Sequence, residues 1–123
     1  MSKPSKLIIP LLVVAAACGG AGLGKDVRAD ISARIQSAQP DFQACYADAL
    51  KTHHKLKGVL VLAFAAAPST GQFTDVTVGH NEINEPTMVQ CVIAVVTKLK
   101  LEKPQSTRLA IPSQPINFQP NNP

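Results

Sequence analysis

Apolar residues recur at spacings of three and four through residues 26–54: Ile31, Ile35, Ala38, Phe42, Cys45 and Ala49. That spacing puts them on one face of a helix. Pro40 falls inside the run and interrupts it. A proline in the first helical turn loses no hydrogen bond, so Pro40 predicts the opening of a second helix. Asp41 places a negative charge near that N-terminus, where the helix dipole favours it. The pattern fades at His53 and His54 and ends before Gly58.

A different texture follows. Val59 to Ala66 is a short apolar run rich in strand formers, and Pro68-Ser69-Thr70-Gly71 is a turn signal. Phe73 to Val78 then alternates, with Val76 and Val78 on one face and Asp75 and Thr77 on the other. Together these predict a β-hairpin. Its first strand is apolar on both faces, which implies a central strand or a surface offered to a partner. Residues 81–84 read as a loop, and Glu85-Pro86-Thr87 opens the next helix. Met88, Cys91, Val92, Val95 and Leu99 mark its expected apolar face, and Pro104 its expected end. Residues 107–118 read as a last strand. Pro112 and Pro115 cannot donate to a ladder, so its second half must lie at an edge or off the sheet. The predicted class is α+β: a small three-stranded antiparallel sheet with two or three helices on one face.

The first 25 residues follow another logic. Lys3 and Lys6 precede an apolar run from Leu7 to Ala17, and Cys18-Gly19-Gly20 follows it. A basic start, a short apolar stretch, small residues and then Cys read as an export signal ending in a lipobox. The reading assigns 1–17 to a lipoprotein signal peptide, Cys18 to the lipid attachment, 18–25 to a Gly-rich tether, 26–120 to one domain and 121–123 to a tail. An uncleaved anchor is the alternative. Against it, the run is short beside the roughly 20 residues that span a bilayer, and Pro10 interrupts it. Gly19 after the lipidated Cys, rather than Asp, points to the outer membrane with the domain facing the periplasm.

Cysteine usage fits export. If Cys18 carries lipid, Cys45 and Cys91 remain, and two thiols can pair in an oxidising compartment. Each lies on the expected apolar face of a helix, so a disulfide would staple two helices packed on the same side of the sheet. Two buried free thiols are the other reading.

The formal charge of +4 includes Lys3 and Lys6 of the signal, and there is no Trp and one Tyr. Nucleic-acid binding therefore has little support. No catalytic constellation, metal-ligand spacing, cofactor motif or small-molecule site stands out. His53 and His54 are adjacent and point apart on a helix; His80 reads as a loop residue. Glu82 and Glu85 read as surface carboxylates.

The ordered set of Cys45-Tyr46 on a helix, Gly58 opening a strand, Gly71 in the hairpin turn, Cys91-Val92 on a second helix and Pro115-Ile116-Asn117-Phe118-Gln119-Pro120 at the end resembles the AgmX/PglI C-terminal domain. That family is common in myxobacteria and is similar to the TonB/TolA C-terminal domain in its αββαβ order. The resemblance covers about residues 27–120. It implies a non-enzymatic binding module that takes an envelope protein or extended peptide by strand addition, through strand 107–117 or 73–79. The alternative is an accessory subunit of an envelope transport, secretion or motility complex, docking through apolar surface near Phe64 and Phe73.

Overall fold

The computed structural model describes residues 23–120. The signal peptide 1–17, Cys18, most of the tether and the tail 121–123 lie outside the described residues. The elements run in the order α1 (Lys25–Ser37), α2 (Gln39–Leu50), β1 (Gly58–Ala66), β2 (Phe73–Asn81), α3 (Pro86–Thr97) and β3 (Leu109–Phe118). The strands form one antiparallel sheet in the order β2-β1-β3. The fold class is α+β, with three helices among the described residues, as the hydrophobic pattern predicts.

The break at Pro40 is real and tight. Ala38 alone separates α1 from α2, and Pro40 sits in the first turn of α2. Ile31 and Ile35 of α1, then Phe42, Cys45, Tyr46 and Ala49 of α2, are buried. They meet Leu60, Leu62, Phe64 and Ala66, the alternate residues of β1 that face the helices, in one continuous core. Ile111, Ile116 and Phe118 of β3 extend that inner face. Tyr46 packs its ring on Phe118 with centroids 5.2 Å apart. Its hydroxyl donates to the Leu56 carbonyl, tying down the loop that leads to β1.

The third helix departs from its expected face. Met88, Val89, Val92 and Val96 are buried, Val95 and Leu99 are half-buried, and Cys91 is exposed. The helix is apolar nearly all round, so spacing alone does not select the stripe that packs. It also ends at Thr97, well before Pro104. At that end the Gln72 side-chain amide donates to the carbonyls of Thr97 and Leu99, taking up acceptors that a longer helix would use.

The segment after α3 is pinned from two sides. Phe73 donates its N–H to Leu99 and Leu101 donates to Gly71, both at 3.0 Å. The carboxylate of Asp30 on α1 accepts the backbone N–H groups of Glu102 and Lys103 at 3.2 and 2.9 Å. Arg34 lies 3.8 Å from both Asp30 and Glu102.

Gly58 and Gly71 are fixed by geometry. Their φ angles are +141° and +72°, and an added Cβ would stand 2.7 Å from Glu82 Cβ and 2.9 Å from Leu101 Cβ respectively. Alanine at either position meets both backbone strain and a clash. Gly58→Ala and Gly71→Ala are each expected to destabilise the domain by about 1–3 kcal/mol. Gly79→Ala, where the added Cβ would come no closer than 3.7 Å to the Val61 carbonyl oxygen, serves as the near-neutral control in a denaturant titration.

Candidate binding edge and the groups that frame it

The sheet has two outer edges, and they are not equivalent. On β2 the first residues are already paired: Leu99–Leu101 runs antiparallel to Gly71–Phe73 through a bridge of Gln72 to Lys100. Beyond that, the register of β2 on β1 shifts twice, between Val61 and Leu62 and between Ala63 and Ala65. Asp75 holds φ at +56° inside the second shift. Bulges of this kind bend an edge and interrupt its pairing groups.

The β3 edge is straighter. Gly58 to Leu62 pair with Phe118 to Gln114 without a break. Val59 turns its backbone toward the β2 side: its carbonyl accepts from Glu82 N–H at 3.1 Å and its N–H donates to Glu82 Oε1 at 2.9 Å. Antiparallel alternation then turns the N–H and carbonyl of its opposite number, Asn117, away from β1. Pro115, opposite Val61, points outward in the same way, so its missing N–H costs the ladder nothing. Pro112 falls in the single register shift between Leu62 and Phe64. Both prolines therefore occupy the edge positions that the sequence requires of them. The outward groups of this stretch are the N–H and carbonyl of Asn117 and the carbonyl of Pro115.

The face of the sheet away from the helices is framed by two polar contacts. Asp75 of β2 and Arg108, just ahead of β3, meet at 3.1 Å. They do so across β1 at Ala65, which pairs with Thr74 and Ala110 and is buried. At the other end, Glu82 ties Val59 to His80, whose Nε2 lies 3.0 Å from Glu82 Oε2. Between them Val59, Val61 and Ala63 form a half-buried apolar stripe outside the core. Phe64 and Phe73 are not part of any such surface. They pack on each other inside the core, with ring centroids 4.7 Å apart. This corrects the expectation of apolar surface near them: Phe64 alternates inward with Leu62, and Phe73 faces it from β2.

The cysteines predicted to pair are brought together. Cys45 and Cys91 Sγ are 2.02 Å apart with their Cα atoms at 5.8 Å, within the span a disulfide bridges. Closing a loop of 46 residues stabilises a fold by about 4 kcal/mol in the chain-entropy account. Only Cys45 lies on a buried helix face. Cys91 sits at the shoulder of α3 where it meets α2.

The remaining polar residues have structural partners. Glu85 caps α3 by accepting from Met88 N–H at 3.1 Å and lies 3.2 Å from His53, so the helix-end histidine links α2 to α3. His54 is exposed. Among the described residues no group of three or more His, Cys, Asp or Glu is placed to hold a metal ion. None of their helices is long and apolar enough to cross a membrane. No family model, curated protein or solved structure matches this chain.

The hydrogen bond from His80 and that from the Val59 N–H hold the Glu82 carboxyl below its ordinary value of 4.5. A depressed carboxyl pKa contributes stability that is full above the ordinary value and is lost as pH falls through the lower, folded one. Acidification through that window is expected to release Val59. The Val59 amide resonance should titrate there, and Glu82→Gln should remove the inflection. An inflection that persists in Glu82→Gln would assign it to another group.

Proposed function

We propose that this chain is a lipid-anchored, non-enzymatic binding module that faces the periplasm and takes an extended segment of an envelope protein by strand addition at the outer edge of β3. The observation that carries the reading is the run from Gln114 to Phe118. It is regular against β1 on one side and offers outward backbone groups at Asn117 and Pro115 on the other. An incoming strand can make both main-chain bonds to Asn117 and one to the Pro115 carbonyl, sharing or displacing the Gln114 side-chain amide that donates to it at 3.3 Å. The edge of β2 is a poorer template, being capped at one end by Leu99–Leu101 and broken by two register shifts.

The resemblance to the AgmX/PglI C-terminal domain supports the same role. The lipobox at Cys18 supports the location. Seven residues from Cys18 to the start of α1 reach at most about 25 Å, so an anchored domain works close to the membrane surface. Intact mass of the membrane fraction tests this part. Loss of 1–17 with added acyl chains on Cys18 is expected, and a full-length, unacylated mass would return the chain to an unassigned α+β domain. The second reading, an accessory subunit of a larger envelope complex, is favoured by the stripe of Val59, Val61 and Ala63.

Asn117→Pro separates the two. It deletes the N–H donor of Asn117, which β1 does not use, so the fold is expected to survive with its melting temperature within a few degrees. With a photo-crosslinking residue at position 119 to capture the partner, Asn117→Pro should weaken binding by up to about tenfold, the loss of one net hydrogen bond. Val61→Lys should leave binding nearly unchanged. Full binding by Asn117→Pro, with loss in Val61→Lys, would replace strand addition by docking on the open face.

A further inference from the structure

The bond between Cys45 and Cys91 crosses the seam of α2 and α3, and its two ends lie in different surroundings. Cys45 is 4% exposed and belongs to the core. Cys91 is exposed to solvent. The helices run antiparallel along this seam, and a concavity opens on each side of the bond. One, of about 300 Å³, reaches toward Thr52, Glu85 and Thr87. The other, of about 500 Å³, reaches toward Asp41, Val95 and Lys98. Both cysteines line both concavities. A buried structural disulfide is shielded by packing on every side. This one joins a solvent-exposed cysteine to a buried one.

We propose that Cys91 is the attack site of a thiol–disulfide exchange by which a dithiol reductant opens this bond in the folded domain. A thiolate must approach along the S–S axis at the sulfur it attacks, and access decides which sulfur that is. Cys45 is nearly buried and Cys91 is exposed, so Cys91 is the more open of the two to an incoming thiolate. The reductant's thiolate forms a new S–S bond to Cys91 Sγ, the Cys45–Cys91 bond breaks, and Cys45 leaves as a thiolate that takes a proton from solvent. The second thiol of the reductant then attacks its own sulfur in the mixed disulfide and releases Cys91. Two electrons pass to the protein, which ends with two thiols, and the reductant ends as a disulfide.

The consequence lies in what α3 carries. Leu99–Leu101 follows directly from α3 and covers the start of β2 through Phe73 and Gly71. Opening the bond removes the covalent tie of α3 to α2 and leaves α3 and this cover held by core packing and hydrogen bonds alone. The inference concerns the α2–α3 seam alone and stands apart from strand addition at β3.

The test uses the full chain carrying Cys18→Ser, oxidised and native, so that no third thiol competes. Brief exposure to reduced glutathione at mildly alkaline pH, rapid alkylation with N-ethylmaleimide and peptide mapping locate the mixed disulfide. Glutathione on Cys91 with alkylated Cys45 is expected in at least about tenfold excess over the reverse. Adducts split evenly, adducts mostly on Cys45, or no adduct until denaturant is added would each overturn the proposal. Single-thiol variants give the second measurement. With circular dichroism confirming the fold, Cys45→Ala should react with an aromatic disulfide reagent far faster than Cys91→Ala. Equal rates in two folded variants would also overturn it.

Discussion

Burial of one face of β1 against α2 and α3 is the constraint from which the other features follow. Leu60, Leu62, Phe64 and Ala66 alternate toward the helices, and Phe42, Tyr46, Met88, Val92 and Val96 cover them. Each large side chain so buried is worth roughly 1.5–3 kcal/mol relative to exposure, an upper estimate because unfolded chains already bury some surface. The exposed ion pairs, such as Arg108–Asp75 and Lys51–Asp48, fall in a class worth about 0–1 kcal/mol each. The core therefore sets the positions of the helices, and polar contacts adjust its margins. With β1 in the centre and the helices on one side, the described residues leave two sheet edges and one face that no helix among them covers.

Much of this is legible in the order of the residues. Helix, hairpin, helix and strand follow from periodicity and from Pro40, Gly58 and Gly71. The edge position of β3 follows from two prolines. Three features do not show in a linear reading, each for a physical reason. The packed face of α3 is hidden because the helix is apolar on most sides, so only tertiary contact selects Val89 and Val96 over Cys91. Its early end goes with hydrogen bonds from Gln72, which lies in the hairpin turn ahead of β2. The bulge at Asp75 places a non-glycine residue at positive φ, a choice that local composition does not announce. The candidate edge was visible as two alternatives. Choosing β3 over β2 required the pairing of Leu99–Leu101, a contact made only after the chain has folded back.

An open sheet edge invites both recognition and aggregation. This domain treats its edges differently. The β2 edge is broken by two register shifts and covered at its start. The β3 edge keeps a straight run but loses donors at Pro112 and Pro115, so a stranger strand finds fewer bonds than a regular edge would give. An edge with a short set of backbone groups favours partners whose side chains add to the binding, because main-chain bonds alone are few.

Asp30 gives the domain a mechanical property. Its carboxylate joins α1 to the backbone of Glu102 and Lys103, in the segment that leads into β3. Ala38 is the single residue between α1 and α2. A pull on the chain ahead of α1 therefore divides between two routes. One runs through Ala38 and the packing of Ile31 and Ile35 into the core. The other runs sideways through Asp30 into the lead of β3. Tension at the N-terminal end would thus be felt at the far edge strand without first unfolding the centre of the molecule.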